Sequence, residues 1–367
     1  MRILLLSCDA GGGHNSAAEA IREECLSRGF ECDLHDALLF VSKSHSRVVR
    51  QGHSYVYRHL PRLFGVGYRF EEKHRPKFIY DQIALGAKKF AAFLKENQYD
   101  VVVTTHIFGN MLMTEVRRQY GINLNHYAVI TDYAMWPGTD MVDACRFFIA
   151  ADELRDWYEA GGIDNDRIVV SGIPISSRFL NTMEKEHARA SLALPSDEKI
   201  VLLFGGSMGC GRLQCRVPEL ERSLPEGTRL VVICGHNRRL FKVLRRKCNS
   251  QKVDVIAYTD RVADYMAAAD LCLTKPGGLS TTELWAAKLP MVLMLSVPGC
   301  ESHNLDYFEQ KGMAIGTDDW REAIRLTAEL VLDDCRLAAM QNRMAELNYP
   351  GGASLIIDAV LSDLSEG

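Results

Sequence analysis

Three glycine-rich turns hold the residues best suited to chemistry. The first, Asp9-Ala10-Gly11-Gly12-Gly13-His14, follows an apolar run and precedes a helical pattern. Glycine there permits unusual backbone angles and close approach of a ligand. His14, at the start of the helix, carries an imidazole that titrates near neutral pH and suits proton transfer; a tight turn with a capping histidine is the other reading. The run departs from the dinucleotide pattern Gly-x-Gly-x-x-Gly, since Asn15 and Ser16 fill the last two positions, although Asp36 lies near the expected distance. The second turn, Gly205-Gly206-Ser207-Met208-Gly209, also follows a strand-like run and reads as a phosphate loop or a plain turn. The third, Thr274-Lys275-Pro276-Gly277-Gly278-Leu279-Ser280-Thr281-Thr282-Glu283-Leu284, is the most specific. Its order is strand end, glycine turn, hydroxyl residues, helix. The N–H groups of Gly278, Leu279 and Ser280 are expected to face an anion, aided by the helix N-terminus. Glu283 is placed to accept hydrogen bonds from a ribose, or else to be the capping-box partner of Ser280.

Turns of this kind need strands before them and helices after them. Arg2–Ser7 reads as a buried strand, Ser16–Arg28 as a helix with Ala17, Ala20, Ile21 and Cys25 on one face, and Glu31–Asp36 as a strand. A long mixed segment from Ser42 to Asn97 follows. Tyr99–Thr105 is a β-branched run expected at the centre of a sheet. Helix and strand signals then alternate to Val170. The second half repeats the theme with strands at Lys199–Phe204, Arg229–Cys234, Val253–Tyr258, Leu271–Thr274 and Met291–Leu295, and a helix at Ser280–Ala287. The fold class is α/β, with two Rossmann-like domains facing across a cleft. Residues 1–180 form the first domain, 181–350 the second, and 351–367 a C-terminal helix expected to return to the first.

Composition narrows the function. The chain has 367 residues, 47% hydrophobic and 25% charged, with a net charge of −4. That balance points to no polyanionic partner, so nucleic acid is not expected. The eleven cysteines form no Cys-x-x-Cys pair, and several sit in apolar runs as in a reducing compartment. No secretory segment and no run long enough to span a membrane is apparent. One local exception exists. Ser42–Lys77 carries Lys43, Arg47, Arg50, Arg58, Arg62, Arg69, Lys73, Arg75 and Lys77, interleaved with Tyr55, Tyr57, Phe64, Tyr68 and Phe70. Such a mixture suits an anionic bilayer surface; a solvated helix packed on the sheet is the alternative.

Taken together the motifs resemble a known family. Asp9-Ala-Gly-Gly-Gly-His14, Ile130-Thr-Asp-Tyr133, Val170-Ser-Gly-Ile-Pro174, Leu203-Phe-Gly-Gly-Ser207, Ile233-Cys-Gly-His-Asn237, Thr274-Lys-Pro-Gly-Gly278 and Pro298-Gly-Cys-Glu-Ser-His-Asn304 occur in order along nearly the whole chain. The chain resembles the monogalactosyldiacylglycerol synthase and processive diacylglycerol glucosyltransferase group. These are relatives of the peptidoglycan N-acetylglucosaminyltransferase, with the two-domain GT-B fold.

The resemblance implies an inverting transfer of a hexose from a UDP-sugar to a diacylglycerol-type lipid, by a cytoplasmic enzyme peripheral on the inner face of the membrane. It implies that the second domain binds the donor. Gly206, Ser207 and Met208 hold phosphate, while Ile233, Gly235, Asn237, Thr259, Arg261 and Val262 hold the uracil. Lys275, Gly277, Gly278, Leu279 and Ser280 hold the diphosphate, Glu283 the ribose, and Glu301 and Asn304 the sugar hydroxyls. His14 and Asp132 are the catalytic candidates for the acceptor proton. Gly12 and Gly13, with Arg58, Arg62, Phe64, Arg69 and Phe70, form the acceptor and membrane side. Two positions depart from the pattern. Ser176 replaces an arginine frequent in relatives, leaving Arg178 or Lys275 to supply the charge, and Cys300 replaces a glutamine. No metal and no cofactor is expected, because the helix N-terminus after Gly277 can take the charge of the leaving diphosphate. Asp164-Asn165-Asp166 matches a metal-binding Asp-x-Asp pattern but reads as a solvated turn. A UDP-sugar epimerase of the two-domain type and a non-catalytic nucleotide-sugar binding protein are the alternative functions.

Overall fold

The computed structural model describes residues 1–8, 12–41, 61–73, 77–205, 213–248, 250–295 and 297–366. The chain divides into two compact units, Met1–Ser176 with Pro350–Gly367, and Ser177–Tyr349.

The first unit is built on a parallel sheet of β1 (Arg2–Ser7), β2 (Glu31–Asp36), β3 (Val101–Thr104), β4 (Asn125–Val129), β5 (Arg146–Ile149) and β6 (Ile168–Val170), ordered β2-β1-β3-β4-β5-β6. Its helices before the second unit are α1 (Gly12–Ser27), α2 (Leu38–Val41), α3 (Pro61–Lys73), α4 (Lys77–Ala84), α5 (Ala87–Asn97), α6 (Ile107–Tyr120) and α7 (Arg155–Ala160). Side chains alternate between the two faces of a strand, and a parallel sheet covered on both sides is apolar on both. Accordingly Leu4, Leu6 and Val102 pack with Phe90, Leu94 and Leu112 on one face. Ile3, Leu5, Val101 and Val103 pack with Ile21 and Cys25 on the other. The mixed segment after Ser42 contains α3, α4 and α5, and helix α1 opens inside the glycine run, four residues before its apolar periodicity begins.

The second unit is a parallel sheet of β7 (Lys199–Phe204), β8 (Thr228–Ile233), β9 (Val253–Ile256), β10 (Leu271–Thr274), β11 (Met291–Met294) and β12 (Ala314–Thr317), ordered β12-β11-β10-β7-β8-β9. Counted within the unit this is 6-5-4-1-2-3, the doubly wound dinucleotide-fold order. Its helices are α8 (Ser177–Leu180), α9 (Lys185–Ser191), α10 (Leu213–Ser223), α11 (Arg238–Lys247), α12 (Val262–Ala268), α13 (Gly278–Ala286), α14 (Cys300–Gln310), α15 (Trp320–Leu330) and α16 (Asp334–Leu347). Asp270, buried ahead of β10, accepts from Arg189 Nη2 at 2.8 Å and from the Ile200 amide at 2.6 Å, tying α9 to the sheet.

The chain then re-enters the first unit as α17 (Ala353–Glu366). Ile356, Ile357 and Val360 are fully buried beneath the first sheet. Arg28 to Asp358 at 2.5 Å, and a two-pronged Arg146–Asp363 pair at 2.5 and 2.9 Å, fix the middle and the last turns of the helix. Among the described residues no helix is long and apolar enough to cross a membrane.

Candidate active site

Ligands of doubly wound sheets bind beyond the carboxyl ends of the strands, where the strand order reverses. In the first unit that point lies between β1 and β3, with β2 on the far side of β1. Helix α1 starts there. Ser7 Oγ donates to Asn15 Oδ1 at 2.6 Å, and Thr105 Oγ1 donates to the His14 carbonyl at 3.1 Å, so the first turn of α1 is pinned to both strand ends. His14 Nδ1 lies 3.1 Å from the Thr105 carbonyl oxygen and 2.7 Å from Thr131 Oγ1. A carbonyl only accepts, so the imidazole proton is assigned to Nδ1 and the lone pair to Nε2. The His106 ring meets the His14 ring edge-on, with centroids 4.5 Å apart.

Burial holds the His14 pKa below the ordinary histidine value, while the charge of Asp132 and the Thr105 hydrogen bond pull the other way. His14 is therefore a neutral imidazole at physiological pH, the form that accepts a proton. Asp132 is buried, and its carboxylate accepts from Trp136 Nε1 at 2.9 Å. Tyr68 of α3 stands edge-on to Trp136 at 5.6 Å, so α3 backs the same site. Behind it lies a buried polar cluster. His126 Nε2 is 3.1 Å from both Thr104 Oγ1 and Asn110 Oδ1, and Nδ1 is 3.2 Å from the Asp143 carbonyl. Burial lowers the pKa of His126 to about 4.

In the second unit the switch point lies between β7 and β10. Thr274 Oγ1 donates to the Phe204 carbonyl at 2.8 Å and closes the gap between the two strand ends. Helix α13 is preceded by Gly277 in extended conformation. Glycine has no side chain to cap the first N–H groups, those of Gly278, Leu279 and Ser280, which suits an anion there. Ser280 lies inside the first turn, not at its cap, so the capping-box reading of Ser280 and Glu283 is wrong. The Glu283 carboxylate has no hydrogen-bond or ion-pair partner among the described residues, and burial pushes its pKa up to about 8, against a smaller opposing effect of Arg178.

The turn itself is braced from α14. Lys275 Nζ pairs with Glu301 Oε1, and Asn304 Nδ2 donates to the Pro276 carbonyl at 3.0 Å. Both Glu301 and Asn304 are buried. A Cβ on Gly277 would meet Lys275 Nζ at 3.3 Å, so the lysine lies close over the turn. Ile233 ends β8, Gly235 has φ of +55°, and Asn237 Oδ1 accepts from the Leu240 amide at 2.9 Å to cap α11. His236 stacks on Tyr258 at 4.2 Å. In the next loop Thr259 Oγ1 accepts from the Arg261 amide at 3.1 Å, Arg261 pairs with Asp264 at 2.7 Å, and Val262 opens α12. Arg178 Nη1 donates to the Asp260 carbonyl at 3.1 Å, so this arginine is tethered to that loop.

Gly206, Ser207, Met208 and Arg58 lie outside the described residues, as do the side chains of Arg62 and Phe64. Gly12 and Gly13 form the first turn of α1, and Arg69 and Phe70 are exposed on α3. Asp164 and Asp166 lie on an exposed turn. Ser176 Oγ donates to Glu23 Oε2 at 2.7 Å, and Cys300 begins α14. No sequence signal singles out Thr105 or Trp136, and Thr131 stands out only as a member of a motif. They are joined to His14 and Asp132 by the fold.

Two family models divide most of the chain between them. Residues 14–175 match the family model for monogalactosyldiacylglycerol (MGDG) synthase, and residues 200–350 that for the glycosyltransferase family 28 C-terminal domain. A processive diacylglycerol beta-glucosyltransferase of Bacillus cereus is 29% identical over 99% of this chain and 94% of its own length. One from Bacillus subtilis is 26% identical over 99% and 95%. Among solved structures, Acinetobacter baumannii MurG aligns over 98% of this chain and 99% of its own, at TM-score 0.65 and 13% identity. Staphylococcus aureus MnaA with UDP aligns over 100% and 97%, at TM-score 0.64 and 14% identity. These structural likenesses establish the GT-B fold.

Proposed function

The chain belongs to the glycosyltransferases that join a monogalactosyldiacylglycerol synthase domain to a family 28 C-terminal domain, and from that premise we propose that it moves a glucosyl group from a UDP-sugar to diacylglycerol at a membrane surface. The observation that carries the reading is the likeness to processive diacylglycerol beta-glucosyltransferases over 99% of the chain. Epimerases share the fold, but their sequence identity of 12–14% carries no activity across.

In this reading the second unit binds the donor. Glu283 accepts from the ribose hydroxyls, and the N–H groups at the start of α13, with Lys275, receive the diphosphate. The first unit supplies the base. His14 Nε2 takes the proton as the acceptor O–H bond breaks. The oxygen bonds to the anomeric carbon, the bond from that carbon to phosphate oxygen breaks, and UDP leaves, inverting the configuration. Asp132 stabilises the imidazolium through its charge. The diphosphate charge is met by protein donors, so transfer proceeds without a metal ion.

The membrane side is α3. Leu63, Val66 and Phe70, spaced along one stripe, are 57%, 54% and 62% exposed, with exposed Arg69 beside them. An amphipathic helix of this kind inserts its apolar stripe at the headgroup boundary while cations meet anionic lipid. Incubating the protein with UDP-glucose, with and without diacylglycerol vesicles and with and without EDTA, tests the reading. Lipid-dependent UDP release and a glucosyl lipid, both unchanged by EDTA, are expected. Lipid-independent isomerisation of the sugar, or no turnover, overturns it, and loss of turnover in EDTA overturns the metal-free step alone.

A further inference from the structure

Helix α11, Arg238-Arg239-Leu240-Phe241-Lys242-Val243-Leu244-Arg245-Arg246-Lys247, carries six cations and no acidic residue in ten positions. Leu240 and Leu244 are buried against the second sheet. Arg238, Arg239, Lys242, Arg245 and Arg246 fall at i, i+1, i+4, i+7 and i+8, which is one face of an α-helix. All five are exposed, and so is Lys247. None of the six makes an ion pair with a described residue; Lys247 only donates to the Gln214 carbonyl, and Arg245 lies over the half-buried Phe241 ring. Several arginines elsewhere are matched, as in Arg28 with Glu24 and Asp358, Arg229 with Glu198 and Asp254, and Arg325 with Glu322 and Glu329.

Folding does not account for this pattern. Cations at the C-terminal end of a helix are favourable, but Arg238 and Arg239 stand in the first turn, where the helix dipole opposes them. Five like charges on a strip about 12 Å long repel one another. An anionic surface laid along the strip removes that repulsion.

We propose that the outward face of α11 is a second lipid contact, on the second unit, which rests on anionic phospholipid headgroups by charge alone. It rests on the reading that the enzyme works at a membrane. Charge complementarity names the partner as anionic. The stripe offers no exposed aromatic ring on which unpaired bases would stack, so lipid is favoured over single-stranded nucleic acid. It also offers no exposed apolar side chain, unlike α3, so contact through α11 is superficial and fully salt-reversible.

The test is sedimentation of the full chain with phosphatidylcholine vesicles, with and without phosphatidylglycerol, across a salt series. Parent is compared with Lys242→Gln/Arg245→Gln/Arg246→Gln, positions beyond the Gly235 and Asn237 turn. A basic residue near an anionic surface contributes about fivefold to partitioning, so three neutralised charges are expected to weaken binding to phosphatidylglycerol vesicles by roughly a hundredfold at low salt. The difference should vanish near 1 M salt, where the Debye length is about 3 Å. Thermal melting and UDP affinity should match the parent, which shows that the variant is folded. Equal binding of variant and parent overturns the proposal, as does parent binding that is insensitive to salt. If the three substitutions instead abolish binding to a single-stranded RNA oligomer while vesicle binding stands, the face serves nucleic acid and the proposal also falls. Turnover of diacylglycerol in neutral detergent micelles is measured alongside. Its absence removes the proposed activity, and vesicle binding alone then decides the role of α11; its presence with α11-independent vesicle binding removes only the lipid contact.

Discussion

Each unit starts a helix at the switch point of its sheet and loads that helix start with opposite chemistry. At the β1/β3 switch point a histidine is held neutral, its Nδ1 engaged by Thr105 and Thr131. At the β7/β10 switch point a glutamate is held against ionisation, its pKa at about 8. In both cases burial is the first cause, and it acts on each group in the direction that removes charge. The lesson is that a parallel sheet end provides dry, polar-lined space, and the residue type placed there decides whether the site offers a base or an acceptor of hydrogen bonds.

The sharpest way to break the comparison is to remove the imidazole. His14→Ala should lower turnover by roughly 10²–10⁴-fold with UDP affinity nearly unchanged, as for a lost general base. Steady-state kinetics paired with calorimetry of UDP binding separates the two. Retained turnover, with Asp132→Asn inactive, would pass the role to Asp132.

The next effect is on stability, and its sign differs between the units. His126 has a folded pKa of about 4 against an ordinary 6.5. The unfolded chain therefore binds the proton first. Stability from this group is full above pH 6.5 and is lost as pH falls from 6.5 towards 4, by about 3 kcal/mol at most. Glu283 runs the other way. Its folded pKa of about 8 lies above the ordinary 4.5, so its contribution is full below pH 4.5 and is lost as pH rises through 8. Urea unfolding from pH 4 to 9 should show the acid loss disappear in a His126→Asn variant that folds, and the alkaline loss disappear in Glu283→Gln. Identical pH profiles in parent and variants would show that neither group is desolvated as described.

The smallest expected effect concerns the donor. Glu283→Ala should weaken UDP binding by about 1–3 kcal/mol. Ribose hydroxyls donating to the carboxylate favour its charged form, so UDP binding near pH 7 should release a proton in the parent and not in the variant. Calorimetry in buffers of different ionisation enthalpy reads this directly. Proton uptake, or none, would mean that Glu283 stays protonated against the ligand.

Much of this is open to reading from residues alone. Strands β1, β7 and β10 end where their apolar runs end, because both faces are covered and each run stops at its turn. Strand β12, Ala314–Thr317, gives no such signal: it is short, includes Gly316, and lies half-buried at a sheet edge. The start of α1 at Gly12 is hidden because Gly12, Gly13, His14 and Asn15 have neither helix propensity nor an apolar face; the helix is set there by the Ser7–Asn15 and Thr105–His14 bonds. At the site, the glycine turns and Glu283 are visible as motifs. The spacing of Ser280 and Glu283 fits a cap as well as a ligand, and only the position of Gly277 decides between them. The grip on His14 comes from residues 91 and 117 positions away, a distance across which no local pattern carries information.

The return of α17 has a consequence for biosynthesis. A ribosome releases the chain in order, so β1 to β6 emerge long before Ile356, Ile357 and Val360, which share with Ile21 and Cys25 of α1 the covering of one face of their sheet. The second unit, contiguous from Ser177 to Tyr349, is free to fold as it appears. The first must wait with the part of that face not covered by α1 open until α17 is made. The unit synthesised first is thus the one completed last, and the nascent chain is most vulnerable to aggregation on that waiting face.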